Sequence, residues 1–193
     1  MKIYTKRGDK GKTQILASKK YPKDDARIES LGSIDELNCQ IGFTVSILTK
    51  ETEILGTELQ KIQELLFYVN ADIAAPEVAT SKKKMAKFTD SLANKKTGWL
   101  EKKIDQYMVK CPHIKKFILP GGSEVASSLH LARTFTRKAE RRTVALSKKE
   151  PLNPKILIFL NRLSDYFFAV ARYANVLTKT SDILFENSKR IFK

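Results

Sequence analysis

Two stretches of the chain carry residue types suited to holding a polyanion. Gly8-Asp9-Lys10-Gly11-Lys12-Thr13 joins glycines, which let backbone N–H groups approach an anion, to lysines and a hydroxyl. More than a hundred residues later, Arg133, Arg137, Lys138, Arg141 and Arg142 recur at helical spacing with Glu140 among them. At ~100° per residue, Arg133, Arg137 and Glu140 fall within about 60° of one another. Guanidinium groups match phosphate oxygens in a planar, bidentate way that lysine does not. A phosphorylated ligand held between a loop and a helix face is the chemistry these residues suggest. A solvated Arg/Glu face is the plainer alternative.

The ending Gly11-Lys12-Thr13 invites comparison with a phosphate-binding P-loop. That motif needs four residues between its glycines and a preceding strand in a parallel sheet. Here only Asp9 and Lys10 separate Gly8 from Gly11, and no such strand precedes them. A P-loop NTPase is therefore excluded, while a glycine loop that contacts phosphate is not.

Bulk composition narrows the class further. The 193 residues suit a single domain (1–193), with a loop over 1–23 and helices over 24–180. With 42% apolar and 30% charged residues, the composition is that of a globular protein. Thirty-six Lys+Arg against 21 Asp+Glu give a net charge of +15, which favours anionic partners. Residues 77–117 hold eleven lysines against Glu77, Asp90, Glu101 and Asp105, and read as solvated surface rather than as a fixed phosphate site.

Cys39 and Cys111 show no CxxC spacing, so a reducing compartment is expected. His113 and His130 are too few for a metal cage and are expected to be solvated or satisfied; no side-chain metal site is predicted. No apolar run reaches ~18 residues and the N-terminus turns charged at once. The expectation is a cytoplasmic protein with no membrane partner.

Hydrophobic spacing places the helices. A first helix is predicted after Asp24-Asp25, with Ser33-x-x-Glu36 as a capping box and Ile34, Ile41, Val45 and Leu48 on the buried face. A second spans about Glu51 to Ala75 and stops before Pro76; residues 77–96 read as a polar connection. Trp99, Ile104, Tyr107 and Met108 mark a third, ending before Pro112. Phe117 to Ser123 is an apolar run closed by a turn, with Ser123 the N-cap of a fourth helix to about Lys149. Pro151 and Pro154 suit the first turn of a fifth, reaching about Lys179. With no strands of useful length, the fold class is all-α: an antiparallel five-helix bundle with an N-terminal nucleotide-binding loop.

The last two helices each divide into faces. Val125, Ser128, Ala132, Phe135, Ala139 and Leu146 form a small-residue stripe on the fourth. On the fifth, Ile156, Leu160, Leu163, Phe167, Val170, Ala174 and Leu177 form a core stripe, with Asn161, Asp165 and Arg172 opposite. Phe168 among those polar residues is odd for plain solvent, and a subunit interface would reconcile them.

Six segments, in order and spanning nearly the whole chain, resemble the PduO-type ATP:cob(I)alamin adenosyltransferases. They are Tyr4 to Thr13, Pro22 to Asp25, Gly32 to Asn38, Phe117 to Ser123, Leu131 to Arg142 and Leu160 to Phe168. The resemblance implies a five-helix bundle assembled as a homotrimer with active sites between subunits. It implies transfer of the 5′-deoxyadenosyl group of ATP to the cobalt of reduced cobalamin, releasing triphosphate and giving adenosylcobalamin. Mg²⁺ would accompany ATP, and cobalamin would be a substrate. An electron-donating reductase and a B12-dependent acceptor enzyme are the implied partners.

By the same resemblance, Thr5, Lys6, Arg7, Gly8, Thr13 and Gln14 close over ATP with Lys23 nearby. Arg137, Lys138, Glu140, Arg141 and Asn161 complete the nucleotide site, Arg137 on phosphate oxygens and Glu140 toward the nucleotide or its metal. Asp35 and Arg133 meet across the interface beside the corrin. Phe117 is the aromatic that keeps the lower axial ligand off cobalt. The chain departs from the family pattern at Gln14, at Lys138 and at Leu16-Ala17-Ser18, where glycines are common.

The alternative is a basic helical nucleic-acid-binding protein. No helix-turn-helix, zinc finger or RNP signature is present, and aromatics are not interleaved with the basic runs, so no nucleic-acid partner is predicted.

Overall fold

The final helix, α5 (Pro154–Leu177), is the most deeply buried element, and its sequence explains why. Pro154 occupies the first turn, where its missing N–H costs nothing, and the Asn153 side chain accepts from the Lys155 N–H at 2.9 Å. Ile156, Phe159, Leu160, Leu163, Tyr166, Phe167, Val170 and Ala174 are buried around much of its circumference. Fully burying each large apolar side chain is worth about 2 kcal/mol. The computed structural model describes residues 2–15, 20–74 and 88–186. Leu16-Ala17-Ser18 and most of the lysine-rich connection lie outside the described residues.

The remaining helices are α1 (Ala26–Ser46), α2 (Gly56–Ala74), α3 (Asp90–Met108) and α4 (Glu124–Ser147). They pack in the spatial order α2, α1, α4, α5, α3. The connection between α4 and α5 spans at most ~20 Å when extended. Two 24-residue helices, each about 36 Å long, can then pack along their lengths only if antiparallel. Side chains close the circuit from α2 to α3 and α5: the Tyr107 and Tyr166 hydroxyls donate to Glu58 Oε2 at 2.7 and 3.2 Å, and Lys103 pairs with the same carboxylate.

Local signals set the boundaries, with corrections to the sequence reading. Ser123 caps α4 as expected, accepting from the Ala126 N–H at 3.2 Å. The capping box at Ser33 is wrong: the cap of α1 is Asp25, which accepts from the Arg27 N–H at 2.8 Å. Ser33 lies inside the helix, its hydroxyl donating to the Glu29 carbonyl at 2.8 Å. Leu48 falls beyond the end of α1. Residues Glu53–Leu55 form a 3₁₀ turn, so α2 starts at Gly56 rather than Glu51. Residues 90–96, read as connection, belong to α3, whose N-cap Thr89 accepts from the Leu92 N–H. Pro151 stands before the cap of α5, not within its first turn.

The strands present among the described residues are only two or three residues long, in keeping with the expectation of none of useful length. Lys12–Gln14 (β1) pairs antiparallel with Lys20–Pro22 (β2), and Ile118–Leu119 (β3) with Ile183–Leu184 (β4). They are too short to carry a period-2 signal. The expected N-terminal loop is thus a small hairpin, tied further by the Lys23 N–H donating to the Gly11 carbonyl at 2.9 Å.

Hydroxyl groups fix α1 against α4. Ser30 and Thr143 share a hydrogen bond of 2.9 Å, and Thr44 and Ser128 one of 2.7 Å, while Gln40 donates to Ser128 Oγ at 2.9 Å. The small stripe expected on α4 therefore packs closely and is partly polar. Among the described residues, no helix is long and apolar enough to cross a membrane.

Candidate active site

The N-terminal hairpin encloses a cleft of about 590 Å³ lined by Thr5, Arg7, Gly8, Lys12, Thr13, Gln14, Lys20 and Lys23. Four of these side chains are cationic and none is a carboxylate, so the cleft is built for an anion. Gly8 lies under Lys23, where an added Cβ would meet the lysine Nζ at 3.4 Å. Gly11 takes φ +71, a conformation that suits glycine, and turns the chain into β1. Lys6 also has positive φ (57) and does not line the cleft. Lys12 and Lys20 were not among the sequence-predicted ligands. The glycine-lysine-threonine run pointed to Lys12; nothing short of the hairpin register, which pairs Gln14 with Lys20, points to the latter.

The α4 residues gather elsewhere. Arg137 and Arg141 are exposed, and Glu140 accepts from Asn161 Nδ2 of α5 at 3.1 Å. Lys138 instead pairs with Glu36 of α1 at 2.6 Å, and Arg142 with Glu29 at 3.5 Å. Arg133 is half-buried, its Nε without a partner, and burial together with the neighbouring Arg137 holds its guanidinium below the usual arginine range. A cation so placed gains from any anion that approaches it. Asp35 is exposed on α1 and lines a shallow concavity with Glu36, Cys39, Gln40, Phe43, Phe135 and Lys138. Among the described residues no ion pair joins Asp35 to Arg133, and no α4 side chain lines the hairpin cleft. One chain therefore holds the predicted nucleotide ligands in two groups, the hairpin cleft and the α4–α5 row, not one.

Phe117 is 60% exposed and stands just before β3, its carbonyl accepting from the Phe185 N–H at 2.8 Å. A broad apolar depression of about 810 Å³ runs along the end of α3 and is backed by Phe168.

Two residues lie where the sequence reading did not put them. Arg172, assigned to the polar face of α5 with Asn161 and Asp165, is 2% exposed and paired with Asp182 at 2.7 Å. The end of α3 and the segment after α5 cover that face: Arg172 also donates to the Pro112 carbonyl at 2.6 Å. His130, expected to be solvated or satisfied, is buried against Phe168 (ring centroids 6.2 Å apart) with neither ring nitrogen hydrogen-bonded. Burial, helped by Arg133, lowers its pKa to about 4, against a smaller opposing effect of Asp182. The two cysteines are free, Cys39 exposed and Cys111 buried.

A helical bundle carrying an anion cleft and an arginine row describes a nucleotide-handling protein in outline. The sequence profile described as cobalamin adenosyltransferase matches residues 3–174. The corrinoid adenosyltransferase of Bacillus subtilis (strain 168) is 45% identical, covering 100% of this chain and 96% of that protein. Human corrinoid adenosyltransferase MMAB is 40% identical over 90% of this chain and 68% of its own length. A variant of the PduO-type ATP:corrinoid adenosyltransferase from Lactobacillus reuteri, complexed with cobalamin and ATP, superposes with a TM-score of 0.92 at 49% identity. It is covered over 100% of its length and matches 99% of this chain. The chain belongs to the cobalamin adenosyltransferase family.

Proposed function

We propose that the protein transfers the 5′-deoxyadenosyl group of ATP to cobalt in cob(I)alamin. The observation that carries this reading is the acid-free cationic cleft of the hairpin together with the under-neutralised pair Arg133 and Arg137, in a chain of this family. The Co(I) electron pair attacks C5′, the C5′–O bond breaks, and its electrons leave on triphosphate. No protein nucleophile is required; the residues align the reactants and neutralise the leaving group.

Thr5, Arg7, Gly8, Lys12, Thr13, Gln14, Lys20 and Lys23 receive the phosphates in the cleft. Arg137 of a neighbouring subunit adds its guanidinium to the same oxygens, with Lys138, Arg141 and the Glu140–Asn161 pair beside it. The two separate groups in one chain support sites shared between subunits, and the family resemblance makes the active form a homotrimer. Asp35 of one subunit then meets Arg133 of the next, beside the corrin. Mg²⁺ fits this donor set, because Glu140 has a second carboxylate oxygen left for a hard cation shared with phosphate. Phe117 and the depression backed by Phe168 offer apolar surface to the macrocycle, Phe117 taking the side from which an axial base would bind cobalt. A reductase supplies the electron, a B12-dependent enzyme takes the product, and the cytoplasm is the compartment.

Purified protein with ATP, Mg²⁺ and chemically reduced cobalamin should give a light-sensitive Co–C spectrum and free triphosphate. ADP and orthophosphate as direct products would overturn the reading. Arg137→Ala should slow the reaction at least ~100-fold, the scale of losing one charge-stabilising donor, with helix content unchanged because Arg137 is exposed. An unchanged rate would remove Arg137 from the phosphate site.

A further inference from the structure

The Phe117 side chain is largely exposed, and its backbone is tied to the chain that returns after α5. Its carbonyl accepts from the Phe185 N–H at 2.8 Å, and the next two residues form the β3–β4 ladder. A two-stranded ribbon of this length is not stable by itself. Immediately before β4, Asp182 fastens the returning chain to α5. Its Oδ2 accepts from Arg172 Nε at 2.7 Å and its Oδ1 from Asn175 Nδ2 at 3.1 Å. Arg172 and Asn175 are 2% and 1% exposed, so this anchor sits on the bundle core.

The same two side chains also hold the segment on either side of Phe117. Arg172 donates to the Pro112 carbonyl at 2.6 Å, upstream of it. Downstream, Asn175 Oδ1 accepts from the Ser123 N–H at 2.9 Å and its Nδ2 donates to the Gly121 carbonyl at 3.2 Å. Gly122, at φ +109, passes so close to the Asn175 amide that a Cβ there would collide with it. Segment 112–123 and the strand that pairs with it are thus clamped to one point on α5.

We propose that Asp182, acting through Arg172, Asn175 and β4, is a positioning residue that fixes Phe117 against the corrin. The inference rests on the reading of Phe117 given above. An exposed aromatic at the edge of a loop would lose orientational freedom on meeting substrate; a clamp built into the fold removes that cost beforehand.

The test compares Asp182→Ala and Phe185→Pro, each in the wild-type and Phe117→Ala backgrounds. Phe185→Pro deletes the donor to the Phe117 carbonyl while leaving the Arg172–Asp182 pair intact, so it carries the test if Asp182→Ala fails to fold. Each should lower kcat on the order of 10-fold in the wild-type background, leave the KM for ATP within about 2-fold, and cost less than ~2-fold when Phe117 is already alanine. Amide exchange across 117–123 should quicken in both. Equal losses in the two backgrounds would overturn the proposal. So would full activity of both variants beside a slow Phe117→Ala, which spares the reading of Phe117. Full activity of Phe117→Ala would instead sink that reading, and the positioning role of Asp182 with it.

Discussion

His130 gives the structure a measurable acid weakness. Carried on α4 and buried against Phe168 of α5 with both ring nitrogens unpartnered, it stays neutral in the folded chain to about pH 4, whereas an unfolded histidine titrates near 6.5. Its folded pKa is depressed, so between these values the unfolded chain binds the extra proton. Its contribution is fully present above pH 6.5 and is lost as pH falls toward 4. At 1.36 kcal/mol per unit, the whole span is worth about 3 kcal/mol, and single-proton linkage puts about 1.4 kcal/mol of that loss at pH 5.5. Carboxylate pairs also weaken in acid, so the histidine is isolated by comparison with His130→Leu, which keeps the site apolar. Urea unfolding of both proteins at fixed concentration, from pH 7.5 to 4.5, should show the variant no less stable at neutral pH. Its advantage should grow by about 1.4 kcal/mol by pH 5.5. Parallel stability curves for the two proteins would refute the reasoning.

Three further outcomes follow from the geometry. Asp35→Asn should raise the KM for corrinoid at least ~5-fold while moving that for ATP less than ~2-fold, read from initial rates; equal shifts would undo its assignment to the corrin side. Gly122→Ala places a side chain at φ +109 against Asn175 and should cost about 2 kcal/mol in thermal unfolding, with faster amide exchange near Phe117. Glu150→Ala leaves the fully buried Arg27 without its counter-charge and should cost about 2 kcal/mol, below the figure for a wholly buried pair because Glu150 is partly exposed; chemical denaturation measures it.

The helices were legible because each large amphipathic stripe faces a neighbour, and Ser123 and Pro154 mark two starts with short-range chemistry. The Ser33–Glu36 error shows the limit of such signals. The same spacing serves inside a helix, where a serine hydroxyl returns to the carbonyl one turn back, and only Asp25 makes the cap bond. Arg172 was misplaced because a helical wheel assumes one buried face. Here α3 and the returning C-terminal segment cover a second, and a buried arginine is tolerable because Asp182 and a carbonyl receive it. Lys20 and the clamp of Asn175 and Asp182 left no pattern, since both arise from pairings between distant segments. The separation of the hairpin cleft from the arginine row is likewise a property of three dimensions.

The hydroxyl seam between α1 and α4 acts as a pair of bolts. Ser30–Thr143 and Thr44–Ser128 lie about 21 Å apart along the helix axis, and Asp35 and Glu36 sit between them. Sliding one helix past the other by a single turn would shear both bolts at once, so the axial height of Asp35 is set as firmly as that of any core leucine.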